Sequence, residues 1–199
     1  ALTLRLGKAT RRVPLDAFYL GYMKNALAPG EFVQAIHVPL PQPGDTLRAY
    51  KLSKRRDCDI SALACGLWLR RDGARVADLR IAFGGMAATV RRATAAEAAI
   101  RDQPWNEATL AAACLALAAD YQPLTDLRAS AGYRQRAARA LLRRFWLETR
   151  PGAPVPAAAP RDSQMNMLVE LFNNLCGHSN LSNRFEPVRT VVFLSLQSL

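Results

Sequence analysis

The dipeptide Asp72-Gly73 constrains the fold of this chain more than any other feature. It stands between two apolar runs, Ser61–Leu69 and Val76–Phe83, with Arg70 and Arg71 just before it. Asp-Gly in that setting is among the strongest short hairpin signals, because glycine takes the positive φ that a two-residue turn needs. Val76–Phe83 alternates as a strand should, and Gly84-Gly85 stops it. Thr46–Ser53 adds another strand ahead of the hairpin, so at least three antiparallel strands are predicted here.

Upstream, Leu2–Leu6 alternates apolar and polar residues and reads as a strand. Val13-Pro14-Leu15-Asp16 leads into Ala17–Asn25, a short apolar-aromatic segment. Pro29-Gly30 marks a turn, Phe32–Val38 reads as a strand, and Pro39, Pro41, Pro43 and Gly44 end it in a loop. Downstream the period changes. Ala93–Ile100 is Ala-rich and helical, Pro104 closes it, and Asn106 with Glu107 opens a second helix to about Ala119. Tyr133–Thr149 makes the best helix. Ala138, Leu141, Leu142 and Phe145 share one face, and Arg134, Arg136, Arg139, Arg143 and Arg144 are read as its solvated remainder. Strands followed by helices, without βαβ alternation, give an α+β fold.

Half of the 199 residues are hydrophobic (50%), enough for one real core and a small appendage. No apolar run reaches membrane-spanning length, so a soluble, non-membrane protein is expected. The chain opens at Ala1 with no initiator Met and no signal-peptide pattern, which reads as a cut inside a longer protein. The net charge of +11 is mostly arginine and lies in the first 150 residues. Beyond them Arg161, Arg184 and Arg189 balance Asp162, Glu170 and Glu186. Such charge suits a nucleotide, an acidic partner or nucleic acid, but no nucleic-acid motif accompanies it. Cys58, Cys65, Cys114 and Cys176 lack metal-ligand spacing and point to a reduced, cytoplasmic compartment. His37 and His178 are the only histidines, which argues against a His-rich metal site or His-dependent hydrolysis.

The stretch Tyr50–Ser61 carries Lys51, Lys54, Arg55 and Arg56, then Asp57 and Asp59. The residues alone leave two readings open: a solvated, self-neutralising loop, or a loop that meets an anionic or redox-active ligand. Adjacent cations hold Asp57 and Asp59 ionised, which does not suit a general acid. Cys58 beside Arg55 and Arg56 is either an idle loop cysteine or a thiol of lowered pKa. There is no Gly-x-x-x-x-Gly-Lys phosphate loop, Gly-x-Gly-x-x-Gly fingerprint or Gly-x-Ser-x-Gly elbow.

Ordered motifs say more. Gly21-Tyr22-Met23-Lys24-Asn25-Ala26-Leu27, Pro29-Gly30-Glu31 and Tyr50-Lys51 through Asp59-Ile60 closely resemble the flavoprotein part of molybdenum hydroxylases. Phe83-Gly84-Gly85-Met86-Ala87, Tyr133-Arg134 and Phe145-Trp146 continue the match in order. The likeness is greatest to the C-terminal part of the FAD-binding small subunit of bacterial xanthine dehydrogenase. It implies that residues 1–45 end an FAD-binding domain. Residues 46–150 then form the flavoprotein C-terminal domain, a three-stranded antiparallel sheet packed with helices as in the CO dehydrogenase flavoprotein. Residues 151–199 are a Pro/Ala linker and a tail that matches nothing in the family; within it Met165–Leu175 reads as a helix and Thr190–Leu199 as a strand, neither with an obvious partner.

By the same resemblance, Lys51 and Val33 contact FAD, and Leu52–Ala62 borders the flavin and the approach of NAD. Electrons in this family pass from a molybdenum centre through iron–sulphur clusters to FAD and on to NAD during purine hydroxylation. The implied partners are a molybdopterin-binding large subunit and N-terminal iron–sulphur and FAD segments, in a hetero-oligomer without nucleic acid. The isolated fragment is expected to hold one edge of the flavin site and to be inactive. A non-catalytic basic domain that docks a partner subunit is the rival reading.

Overall fold

The computed structural model describes residues 1–55, 60–152, 155–156 and 188–192. They fall into two compact units, residues 1–40 with 188–192, and the described part of 41–156.

In the first unit β1 (Leu2–Leu6) and β2 (Ala9–Val13) make a hairpin, Leu6 pairing with Ala9. A short helix α1 (Leu15–Phe18) leads to the small hairpin β3 (Tyr19–Gly21) and β4 (Lys24–Asn25). The strand β5 (Phe32–Pro39) then pairs antiparallel with the other side of β1. Leu2, Leu4, Val13 and Phe18 form a small core with Val33 and Ile36 at its margin. The strand β2 was illegible in the sequence because Ala9, Thr10, Arg11 and Arg12 are exposed and only Val13 turns inward. Arg11 instead reaches across to Glu31 (2.7 Å), whose other bond, from the Ala28 amide, shapes the Pro29-Gly30 turn. The tail differs from its expectation. The described strand Val188–Val192 starts two residues before the expected Thr190 and finds a partner, the other side of β5, while residues 193–199 lie outside the described residues. The predicted helix Met165–Leu175 lies outside the described residues.

In the second unit β6 (Asp45–Leu52), β7 (Leu63–Asp72), β8 (Arg75–Gly84) and the short β9 (Arg91–Arg92) form an antiparallel sheet in that order. The hairpin signal holds, displaced by one residue. Asp72 pairs with Arg75, so the turn is Gly73-Ala74, with positive φ (56°) at Gly73 only. Glycine at the first central position is the requirement of a type II′ turn. Leu63, Cys65, Leu67 and Leu69 of β7 face inward, as do Leu79, Ile81 and Phe83 of β8.

Three helices, α2 (Thr94–Ile100), α3 (Glu107–Asp120) and α4 (Ala131–Thr149), follow the sheet in the chain and supply Ile100, Leu110, Leu142 and Phe145 to the core it faces. Each start is capped by chemistry the sequence supplies. Asn106 accepts from the Thr109 amide (3.0 Å) and Ser130 from Tyr133 (3.2 Å). Ala93 has no capping side chain, so the buried Asp120 at the end of α3 accepts from Ala95 (2.8 Å) and Ala96 (2.9 Å) instead. That bond sets α2 against α3.

Leu67→Ala, at 0% exposure in this core, should lower unfolding free energy by about 2–5 kcal/mol. Leu47→Ala, 55% exposed on the other face of the sheet, should change it by under about 0.5 kcal/mol. Urea unfolding followed by circular dichroism measures both.

Candidate functional site at the exit of β6

The last residues of β6 are held from beneath. Tyr50 points into the core and donates its hydroxyl to Glu148 of α4 (2.8 Å). Arg48 (3.2 Å) and Arg144 (2.8 Å) also donate to this carboxylate, and the Arg144 guanidinium lies 4.8 Å over the Tyr50 ring. Burial first, and then the Glu148 carboxylate, push the Tyr50 hydroxyl well above its ordinary value, so it stays a donor.

Strand alternation turns the next residue, Lys51, to the opposite face, where it is half-buried. Its lateral neighbours are small: Lys51 pairs with Ala64, and Ala64 with Gly84. On that face the row beside Lys51 is built from small residues, with a Val90 methyl over Gly84.

Past Lys51 the chain leaves the sheet under several restraints. The Ala62 amide donates to the Leu52 carbonyl (2.8 Å), closing the strand pair. Ser53 bonds the Arg55 carbonyl (2.8 Å), and Lys54 Nζ reaches the Leu127 carbonyl (2.8 Å) in the linker before α4.

A buried arginine lies under this exit. Arg134 was read as part of a solvated face, but it is only 5% exposed, and it donates to the Gly85 carbonyl and to Asp126 (2.7 Å). Gly85 has a φ of +82°, and a Cβ there would stand 2.8 Å from the Ala62 carbonyl oxygen and 3.1 Å from Arg134 Nη1. Only glycine fits both the backbone and the space. Asp126 also accepts from the Arg128 (2.9 Å) and Ala129 (3.1 Å) amides. Those backbone donors, ahead of Arg134, lower its carboxyl pKa from 3.8 to about 2.

The sequence placed Arg134 in a family motif but on the solvated face, and gave Asp126 no role, although a signal for Arg134 existed. Arg134 stands four residues before Ala138 and seven before Leu141, on the apolar stripe rather than off it.

Of the two residues expected at a flavin, Lys51 stands at this exit, and Val33 lies half-buried in β5 of the other unit. Arg56, Asp57, Cys58 and Asp59 lie outside the described residues. Burial pushes the Cys65 thiol up to about 12 and raises Cys114, so neither is a poised nucleophile. Among the described residues no cluster of His, Cys, Asp or Glu has the make-up of a metal site, and no helix is long and apolar enough to cross a membrane.

Residues 48–149 match the family of CO dehydrogenase flavoprotein C-terminal domains. The xanthine dehydrogenase FAD-binding subunit of Escherichia coli O157:H7 is 33% identical over 135 residues, covering 67% of this chain and 46% of the relative. Xanthine dehydrogenase/oxidase of Gallus gallus is 35% identical over 124 residues, 60% of this chain and 9% of the relative. A solved carbon monoxide dehydrogenase from Hydrogenophaga pseudoflava, lacking the Mo-pyranopterin moiety of its molybdenum cofactor, superposes with a TM-score of 0.67 at 31% identity. That match covers 72% of this chain and 50% of the solved one. The chain thus spans half or less of the length of these relatives.

Gly85→Ala should cost about 1–3 kcal/mol by calorimetry, through backbone strain and the contact with Ala62. Acid should weaken the second unit in a defined window. Asp45, held first by Arg70 and then by the Gln42 amide, and Asp126 both have carboxyl values depressed from 3.8 to about 2. Their contribution is complete above pH 4, roughly the unfolded value, and is lost as pH falls through about 2. A series of Tm values from pH 6 to pH 2 should show the fall, and Asp126→Asn should flatten part of it.

Proposed function

Because the chain belongs to the family of CO dehydrogenase flavoprotein C-terminal domains, we propose that it works as the C-terminal part of an FAD-carrying subunit of a xanthine-dehydrogenase-type molybdenum hydroxylase. In this reading residues 1–45 end the FAD-binding domain and 46–150 form the flavoprotein C-terminal domain. The observation that carries it is Lys51, held at the end of β6 by the Tyr50–Glu148 bond behind it and paired with Ala64, beyond which lies Gly84.

That arrangement suits an isoalloxazine ring, which gains from a cation beside it when it carries negative charge. Bound FAD supplies the redox chemistry. The amino group of Lys51 orients against the ring and favours its anionic reduced form through charge attraction. Val33 offers an apolar contact from β5. The charges after β6, Lys54 and Arg55 with Asp57 and Asp59 close behind them in the sequence, set whether an anionic dinucleotide such as NAD is favoured or repelled there.

The parent enzyme in this reading carries electrons from iron–sulphur clusters through FAD to NAD while it hydroxylates a purine, hypoxanthine or xanthine. Its molybdopterin-binding large subunit holds the substrate pocket, and its N-terminal iron–sulphur and FAD segments complete the flavin site. The E. coli relative, whose name is that of a xanthine dehydrogenase FAD-binding subunit, supports this choice of parent.

Flavin fluorescence during FAD titration of this chain alone should show weak binding, with no saturation below 1 μM as an order-of-magnitude bound. Submicromolar saturation contradicts the partial site. In the assembled enzyme Lys51→Ala should make the flavin midpoint potential more negative by about 30 mV, or about 1.4 kcal/mol for a two-electron couple. Assembly lost with an unchanged flavin potential supports a docking domain instead.

A further inference from the structure

Lys51 stands between two tethers. Tyr50, just before it, is tied to Glu148 on α4 (2.8 Å), and Lys54, three residues after it, is tied to the Leu127 carbonyl (2.8 Å). The first tether rests on a helix. The second rests on a linker, and an irregular segment holds a position only if something else fixes it.

The linker is turned by the Asp126–Ala129 bonds and the Ala131 amide on Thr125 (3.0 Å), and Arg134 ties that turn to the sheet. Its guanidinium donates to Asp126, the residue before Leu127, and to the Gly85 carbonyl at the end of β8. Gly85 in turn approaches the Ala62 carbonyl so closely that no side chain fits between them. Ala62 closes the strand pair with Leu52. One buried cation thus joins the linker that anchors Lys54 to the end of β8, and through the Gly85–Ala62 approach to the start of β7 beside the β6 exit.

The placement is expensive for a core position. An arginine on an apolar helix face needs acceptors for its donors, and here Nε has none. A leucine or methionine in its place would be cheaper to bury and would hold nothing at the strand ends. The arginine bonds go to the sheet end that carries Lys51 and to the linker beside it.

We propose that Arg134 and Asp126 are positioning residues for Lys51, a relay that fixes the exit of β6 through the Lys54–Leu127 tether and the Gly85–Ala62 contact. The flavin consequence rests on the function proposed above, whereas the mechanical part does not.

The test uses the assembled, FAD-loaded enzyme with Asp126→Asn, Arg134→Lys and, as reference, Lys51→Ala. Asp126→Asn keeps a side-chain oxygen for the Arg128 and Ala129 amides, so the turn survives while the charge on Arg134 loses its partner. Hydrogen–deuterium exchange at the Ala62 amide should quicken at least fivefold in Asp126→Asn and in the same direction in Arg134→Lys, with peptides of β1 and β2 unchanged. The flavin midpoint potential should move in the direction that Lys51→Ala moves it, by a third of that shift or more. Exchange within twofold of wild type in both variants overturns the relay. Faster exchange with an unmoved potential, where Lys51→Ala does move it, overturns the positioning of Lys51. If Lys51→Ala itself leaves the potential unchanged, the flavin reading fails, and the exchange alone decides whether the relay exists.

Discussion

A guanidinium buried in the apolar face of a helix must be answered by acceptors, and in this chain the acceptors of Arg134 lie at one end of a sheet. They are the Gly85 carbonyl and the Asp126 carboxylate. The rest of the second unit arranges itself around that demand. β8 has to be followed by a glycine that tolerates positive φ, Gly85, the linker has to turn at Asp126, and α4 has to bring Arg134 onto its buried face in the first turn. The opposite end of α4 makes a matching demand through Glu148, which gathers Tyr50, Arg48 and Arg144. One helix therefore grips β6 directly at Tyr50 and grips its exit through the linker.

The fold was largely legible where burial has a period. The inward residues of β7 and β8 alternate, and those of α4 recur at helical spacing, because each element buries one face against the same core. It was illegible where an element buries almost nothing. β2 shows no alternation, since Arg11 and Arg12 sit on an exposed edge, and the strand at Val188–Val192 depends on the free side of β5 rather than on any pattern of its own.

The site divides the same way. Lys51 and Val33 came from ordered motifs shared with a family; no local rule distinguishes Lys51 from Lys54. Arg134 was nearly legible, because its spacing from Ala138 and Leu141 placed it on the core face. The usual expectation that arginines are solvated outweighed the spacing. The fact that decides its role, a Gly85–Ala62 approach too close for a side chain, is tertiary and leaves no trace in either segment alone. The opening hairpin signal survived with a refinement: Gly73 serves as the first residue of its turn rather than the second.

A lysine that lies against a flavin is shielded by it, so the reactivity of Lys51 reports the contact. Competitive acetylation of the full-length FAD subunit, with and without FAD, reads each lysine separately by mass spectrometry. FAD should suppress acetylation of Lys51 at least tenfold while Lys8, in the β1–β2 turn, is unaffected. Equal acetylation of Lys51 in the two samples would contradict it.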